Sequence, residues 1–179
     1  RISSLVKDLR QSMKGEALKV PYIPNIIEFC ESPKYLALPF PLYPIQKLIL
    51  RAFYRGTVGN TSEECMKMTP EEIKLCEEDG LDSDKNGNIL AKWNSNTIFN
   101  ELVLVWGRRS GKDFTISVIA LYEAMKLLEC PGGDPYKMYK IGNASPFTIL
   151  TIANNKEQTK VLYREMYGKF KEAPYFKDK

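Results

Sequence analysis

The stretch from Glu101 to Met125, ELVLVWGRRSGKDFTISVIALYEAM, constrains the fold of this chain more than any other. An aliphatic run, LVLVW, ends at a glycine and two arginines, and Gly111-Lys112 then opens a second apolar run. A continuous apolar run of this length is typical of a strand that is covered on both faces. The second run, from Gly111 to about Glu129, is apolar almost all round and predicts a buried helix. The stretch therefore predicts a strand, a short loop and a helix in direct succession.

The loop between these two elements has the composition of a phosphate-binding loop. Glycines let a backbone approach phosphate oxygens closely, and N–H groups at a helix N-terminus donate to them, so Gly107 and Gly111 suit this purpose. Lys112 is placed to reach the β- and γ-phosphates. The strict pattern G-x-x-x-x-G-K-[ST] nevertheless fails twice, because Trp106 replaces the first glycine and Asp113 replaces the hydroxyl residue. The alternative is an ordinary basic turn between a strand and a helix.

Four polar residues around this loop are candidates for nucleotide and metal contacts. Arg108 and Arg109 carry guanidinium groups that match pairs of phosphate oxygens, and an arginine beside the γ-phosphate can stabilise its transfer. Asp113 is a candidate Mg²⁺ ligand, although its charge also lies close to the phosphates. Ser110 supplies the nearest alternative hydroxyl. Thr115 lies two residues after Asp113, about 200° round the helix from it, so its hydroxyl points away from the position of the Asp113 side chain.

The remaining C-terminal sequence repeats the same alternation. The segment FTILTIA predicts a second buried strand, and Asn154 with Glu157 predicts a capping box at the start of a helix. The predicted inner face of that helix consists of Val161, Leu162, Met166 and Phe170. Strands that alternate with helices are typical of a parallel sheet. The predicted fold class is therefore α/β, a P-loop NTPase-type parallel sheet flanked by helices.

Upstream of the loop, the sequence predicts helices and a polar insertion. Residues 1–35 predict a helical lead-in, and residues 36–179 predict the nucleotide-binding domain. Pro44 suits the first turn of a helix that reaches Gly56, and Gln46 lies near its N-terminus. Residues 57–97 are more polar and predict an insertion, which contains a helix with Thr69 as its N-cap and Glu72 three residues later.

A second candidate site lies in DSDKNGNI, which begins at Asp82. Asp82, Asp84, Asn86 and Gly87 fit the first six positions of an EF-hand loop, but position twelve is Trp93 instead of glutamate. Aspartate, asparagine and glycine are also the residues of ordinary surface turns. No clear second helix with an apolar stripe follows. A plain loop is therefore the favoured interpretation.

Composition excludes several classes of protein. The chain has no histidine, and its four cysteines form no CxxC pair, so zinc-ligand spacing is absent. The net charge of +4 permits contact with nucleic acid but does not argue for it. No stripe of basic residues interleaved with aromatics stands out, so DNA contacts cannot be assigned. The longest apolar runs are too short for a membrane span, and the scattered cysteines predict reduced thiols in a protein that is not secreted.

Three segments in this order resemble the ATPase domain of the large terminase subunit, the DNA-packaging motor of tailed bacteriophages. The loop WGRRSGKD has the arginine-rich, irregular form found in that family, and PLYPIQKLILRAFYRG is similar to its upstream glutamine motif. ILTIANNKEQTKVLYREMYGKF resembles the strand and helix that commonly follow. The resemblance covers about residues 36–56 and 98–179.

The resemblance implies an ATPase that uses ATP and Mg²⁺, with Gln46 recognising the adenine. It also implies double-stranded DNA, a portal protein and a small terminase subunit as partners, a homo-oligomeric ring, and action in the host-cell cytoplasm at the procapsid portal. The family's second acidic motif, Asp-Glu after a strand, is not found in this sequence, and neither is its nuclease domain. We therefore expect an N-terminal part of such a protein that hydrolyses ATP poorly by itself. The alternatives are a helicase-like ATPase and a non-enzymatic calcium-binding or scaffold module.

Overall fold

The described chain is helical. The computed structural model describes residues 22–95, 97–107, 109–142, 145–152 and 156–177. Its helices are α1 Ile26–Glu31, α2 Pro44–Tyr54, α3 Glu63–Met66, α4 Pro70–Glu78, α5 Ile89–Asn94, α6 Lys112–Leu128, α7 Pro135–Tyr139, α8 Lys156–Glu172 and α9 Pro174–Lys177. Single turns of 3-10 helix lie at Asp84–Asn86 and Pro131–Gly133. The first 21 residues of the predicted helical lead-in lie outside the described residues.

The main core lies where α6 meets α1, α2 and α8. The two long helices α6 and α8 pack along each other, and α1 packs against both α2 and α6. The aromatic rings of Phe29, Tyr54 and Tyr122 meet at the centre, with centroids 5.2 Å apart for Phe29–Tyr122 and 4.8 Å for Tyr54–Tyr122. Such tilted and edge-to-face pairs are favourable beyond the area that they bury. The core therefore fixes α6, the helix whose N-terminus carries the predicted phosphate loop.

Local signals in the sequence predicted most helix ends correctly. Helix α2 begins at Pro44, as predicted, and ends at Tyr54, two residues before Gly56. At α4, Thr69 Oγ1 accepts from the N–H of Glu72, and Glu72 Oε2 accepts from the N–H of Thr69. This reciprocal capping box confirms the prediction. Helix α6 covers the predicted range. No clear second helix with an apolar stripe was predicted after the DSDKNGNI segment, and the structure has the six-residue helix α5 there, with Trp93 as its one buried residue.

The prediction of a parallel sheet is wrong. No described residue belongs to a strand, and the two segments predicted as buried strands, 102–106 and 147–152, have no regular secondary structure. Neither segment makes ladder hydrogen bonds within the described chain. Val105 is 90% exposed and Ile152 is 84% exposed. A strand is stable only when neighbouring strands satisfy its N–H and C=O groups, and here the helices pack on one another instead.

The predicted inner face of α8 is only partly correct. Met166 packs against the core, but Val161 and Phe170 are exposed. Helix α8 has no fully buried residue. Helix α8 packs along α6, but much of its surface faces solvent. The predicted capping residue Asn154 lies outside the described residues.

A buried polar network joins the loop before α3 to α1 and α6. The hydroxyl of Tyr122 donates to the carbonyl of Pro24 at 2.7 Å and accepts from Asn60 Nδ2 at 2.8 Å. Asn60 Oδ1 in turn accepts from the N–H of Ile26 at 3.0 Å. The preceding residue, Gly59, has a φ of +86° and lies directly against this network. Each buried polar atom in this group has a partner, as the stability of a buried network requires.

The region 57–97 is anchored to α2 by a second buried group. Arg51 Nη1 pairs with the carboxylate of Glu72, and its Nη2 donates to the carbonyls of Glu64 at 2.6 Å and Lys67 at 2.8 Å. The guanidinium carbon also lies 5.7 Å from the centroid of the Trp93 ring. One arginine of α2 therefore connects α3, α4 and α5.

Trp93, predicted at position twelve of a calcium loop, is buried in this packing. In the loop itself, Asp84 Oδ1 accepts from Asn88 Nδ2 at 2.9 Å, and Asn86 Nδ2 donates to the carbonyl of Gly80 at 2.9 Å. Within the described ranges, no group of three or more acidic or cysteine side chains is arranged to hold a metal ion. These contacts favour the plain-loop interpretation.

The buried phenols and thiol predict a loss of stability at alkaline pH. Burial raises the pKa of Tyr54, Tyr122 and Cys30 above their ordinary values of 10.0 for tyrosine and 9.0 for cysteine. A raised pKa means that the fold favours the neutral group, so its contribution is complete below pH 9 and is lost as the pH rises further. We expect the free energy of unfolding to fall by about 1.4 kcal/mol per pH unit for each such group above its unfolded pKa.

Urea titrations between pH 8 and pH 11 measure this slope. Tyr122→Phe removes one contributing phenol, so its stability should fall less steeply with pH than that of the parent, whatever its stability at pH 8. An unchanged slope in Tyr122→Phe would contradict the assignment.

No described helix combines the length and the apolar character needed to cross a membrane.

Candidate functional site

The backbone of the predicted phosphate loop turns sharply before α6. Arg109 has a φ of +66° and Gly111 a φ of +81°, both in the left-handed region. Glycine adopts this conformation freely, whereas a non-glycine residue such as Arg109 is rarely found there. Alternation of right- and left-handed residues points successive N–H groups to one side of the chain, and this concave arrangement binds anions. Two left-handed residues, Arg109 and Gly111, are compatible with such an arrangement.

The N-terminus of α6 is open to a ligand. Gly111 is its N-cap residue and contributes no side-chain cap, so the first N–H groups of this 17-residue helix lack the side-chain acceptor found at α1, α4 and α5. The helix dipole adds partial positive charge at the same point. Thr115 is occupied elsewhere, since its N–H and hydroxyl both donate to the carbonyl of Gly111. Donors and dipole thus suit a phosphate group.

Two side chains close the loop on itself. Lys112 Nζ donates to the carbonyl of Trp106 at 2.9 Å, and the hydroxyl of Ser110 donates to the carbonyl of Gly107 at 2.7 Å. The ammonium group of Lys112 therefore lies back against the backbone of the loop. In both hydrogen bonds the acceptor is a backbone carbonyl, whose place a phosphate oxygen can take.

Gln46 and the loop lie side by side, as the sequence predicted. A cavity of about 300 Å³ is lined by Gln46, Gly107 and Ser110 together with Tyr43, Ile45, Val105 and Trp106. Gln46 is buried, and its Oε1 accepts from the N–H of Tyr43 at 3.1 Å. Its amide nitrogen faces Gly111, where an added Cβ would lie 3.2 Å away. The N-terminus of α2 thus holds Gln46 directly against the N-cap of α6.

The sequence did not identify the aromatic walls of this cavity. Tyr43 precedes Pro44 at the start of α2, and Trp106 stands where the strict loop pattern has its first glycine. Aromatic side chains among the lining residues are typical of small-molecule sites. Pro44 was the one local signal, since it fixes the start of α2 and so places Tyr43 directly before that helix and close to Gln46.

The remaining predicted residues are exposed or lie outside the described ranges. Arg109 and Asp113 are exposed, and within the described ranges the Asp113 carboxylate makes no hydrogen bond or ion pair. Arg108 is not among the described residues. Asp113 occupies the first turn of α6, so its carboxylate lies beside the open N–H groups.

The oxygen atoms of Asp113 and Ser110 suit a magnesium ion that takes most of its ligands from a bound nucleotide and from water. Mg²⁺ in nucleotide sites is commonly held by one or two protein oxygens, with phosphate oxygens and waters completing its shell. Asp113 offers one free carboxylate, and Ser110 offers a hydroxyl close to it in sequence. A nucleotide with its ion would therefore bring most of the coordination shell with it.

Residues 10–179 match a family model described as "Uncharacterized protein MJ0330, N-terminal P-loop domain". No curated protein and no solved structure matches the chain. The match covers nearly the whole sequence and includes the loop, Gln46 and both long helices. This chain therefore belongs to the family of the MJ0330 N-terminal P-loop domain.

Proposed function

We propose that this domain binds ATP, with the phosphates on the loop from Gly107 to Asp113 and the base in the adjacent cavity. The observation that carries the proposal is that Gln46 lines one cavity with Gly107 and Ser110 of the loop and also faces Gly111, the N-cap residue of α6, which provides no side-chain cap. The cavity volume of about 300 Å³ lies at the small end of ligand sites and suits a base better than a whole nucleotide. The phosphates would then extend from the cavity along the open loop.

Each loop residue has a distinct part in this proposal. The backbone N–H groups after Gly111 donate to the phosphate oxygens, and Lys112 exchanges the Trp106 carbonyl for the β- and γ-phosphates. Arg108 and Arg109 neutralise phosphate charge, while Gln46 reads the edge of the adenine. Mg²⁺, held by Asp113 or Ser110, would neutralise charge that develops on the transferred phosphoryl group.

We further propose that this nucleotide site serves a DNA-packaging motor of the large-terminase type. Support comes from the order of three segments, the glutamine motif, the arginine-rich loop and the helix after it, all of which resemble that family. In such a motor, ATP hydrolysis would drive double-stranded DNA into a procapsid. The sequence lacks the Asp-Glu pair that activates water in that family, so slow hydrolysis is expected even where binding is tight.

The replacement Lys112→Ala tests the nucleotide site. We expect it to weaken ATP binding by about tenfold or more, because a charge-assisted contact to phosphate contributes roughly 1.5 to 3 kcal/mol. Calorimetric titration with Mg-ATP gives the dissociation constant. Competition with GTP shows whether the site prefers adenine to guanine. Lys85→Ala is the matched control, since Lys85 is exposed, lies in the DSDKNGNI turn and carries the same charge.

A Lys112→Ala variant that folds normally and binds ATP as tightly as the parent would show that the loop is not the phosphate site. Calcium heat without nucleotide heat in the same calorimeter would favour the binding-module alternative instead. Circular dichroism of each variant confirms that the helical fold is retained.

A further inference from the structure

Helix α8 carries a basic and aromatic face that the nucleotide site does not use. Residues spaced by three and four positions share one side of a helix, and here they form a stripe within an arc of about 100°. We call it the tyrosine–lysine stripe; its members are Lys156, Lys160, Tyr163, Arg164, Tyr167 and Lys171. It contains four cations and no acidic residue. At 1.5 Å per residue it extends about 22 Å along the helix.

The stripe faces away from the protein core. Met166, which packs against the core, lies about 110° round α8 from the centre of the stripe. Lys169 lies on the opposite side of the helix, with its Nζ 4.4 Å from the centroid of the Phe114 ring of α6. Tyr163 is 58% exposed and Tyr167 is 47% exposed. Exposed tyrosines are ordinary singly, but two of them on one basic face of one helix form a continuous surface.

The two tyrosine rings are arranged as parallel plates. Their centroids are 5.8 Å apart, and the angle between their planes is 8°. Lys171 Nζ lies 5.4 Å from the centroid of Tyr167, so a cation borders the rings at one end. Arg164 is exposed beside them, and Lys160 lies nearby in an ion pair with Glu157 at 2.6 Å. Flat π faces thus alternate with positive charge.

This chemistry matches a single-stranded nucleic acid better than other polyanions. Unpaired bases stack on aromatic side chains, and the phosphates between them pair with lysine and arginine. In a duplex the bases already stack on each other, so the tyrosine rings would contribute little. A membrane-bound helix needs aliphatic side chains between its cations, and the stripe has none.

We propose that the tyrosine–lysine stripe of α8 binds a short single-stranded segment of DNA or RNA, with bases on Tyr163 and Tyr167 and phosphates on the flanking cations. This surface goes beyond the proposed ATP site and does not depend on it. A stripe of about 22 Å with four cations suits contact with three or four phosphates.

Fluorescence anisotropy of labelled oligothymidylate and oligouridylate, titrated with the whole chain without nucleotide, tests the proposal. We expect log K to fall with log salt with a slope of about −2 to −3, or about −0.7 for each phosphate contacted. Tyr163→Ala with Tyr167→Ala should weaken binding by about tenfold per ring, whereas Phe at both positions should retain it. Arg164→Gln with Lys171→Gln should reduce the slope by about 1.4.

The control pair Lys34→Gln with Lys85→Gln changes the net charge equally at exposed positions outside α8 and should leave binding unchanged. Lys112→Ala should also bind the oligonucleotide as the parent does, which separates this surface from the nucleotide site. The proposal is overturned if duplex DNA binds as tightly as the single strand, if the alanine variants bind normally, or if anionic phospholipid vesicles bind and the oligonucleotides do not.

Discussion

Replacing Gly59 by alanine is expected to lower the free energy of unfolding by about 3 kcal/mol. With its φ of +86°, this position costs an L-residue about 1 to 2 kcal/mol. The added Cβ would also lie 2.7 Å from Ile23 Cγ2, 2.8 Å from the carbonyl oxygen of Pro24 and 3.0 Å from the hydroxyl of Tyr122. Two of these atoms belong to the buried network, so relief of the clash would break its hydrogen bonds. Urea unfolding followed by circular dichroism measures the loss.

Gly132→Ala is a matched control for this effect. Gly132 has a φ of +81°, and no atom lies within 4 Å of an added Cβ. Its replacement should therefore cost only the backbone strain, about 1 to 2 kcal/mol. Equal losses of the free energy of unfolding in the two variants would show that the close contacts around Gly59 do not add to the backbone strain. We also expect Gly59→Ala to disturb the candidate nucleotide site, because Tyr122 belongs to α6 and the predicted phosphate loop lies at the N-terminus of α6.

Replacing Arg51 by methionine is expected to lower the free energy of unfolding by about 3 to 5 kcal/mol. Methionine retains an apolar stem but leaves the Glu72 carboxylate without its cation, and both side chains are close to 90% buried, at 13% and 11% exposed. The carbonyls of Glu64 and Lys67 lose their donor in the same variant. Removal of one member of a buried ion pair is costly mainly because the other remains charged and desolvated.

Lys74→Met is the control for the loss of an ion pair. Lys74 pairs with Glu78 at 3.5 Å on the surface of α4, where solvent screens the charges. Its replacement should change stability by no more than about 0.5 kcal/mol. The emission of the buried Trp93, read in a Trp106→Phe background, should shift to longer wavelength in Arg51→Met. Retention of the parent emission and stability would mean that Arg51 does not hold region 57–97 on α2.

Features that depend on a few neighbouring residues were predicted well from the sequence. Pro44, the Thr69–Glu72 capping box and the long apolar run after Gly111 each specify a helix through contacts within one or two turns. The structure places Gln46 beside Gly111 of the loop, two segments that were associated through resemblance to a family and not through periodicity. Local chemistry therefore determined the helices, and a known arrangement of motifs indicated the site.

Features that depend on distant partners were predicted poorly. The run LVLVW has the composition of a buried strand, but a strand requires neighbours that no local pattern supplies. Val105 shows the result, since its apolar side chain faces solvent in the extended segment before the loop. The helix that carries the tyrosine–lysine stripe was predicted, but the near-parallel arrangement of Tyr163 and Tyr167 was not. It depends on side-chain conformations that helical periodicity does not specify.

Because Lys112 Nζ donates a hydrogen bond to the carbonyl of Trp106, any ligand that binds this ammonium group must displace the carbonyl. A ligand gains from this ammonium group only if it attracts the cation more strongly than a peptide oxygen does. Phosphate oxygens meet that condition because they carry negative charge, so both partners are ionised, whereas the Trp106 carbonyl is neutral. A nucleoside hydroxyl or a neutral base does not. In the proposed ATP site, the loop's own backbone would thus compete for the lysine and favour a charged ligand.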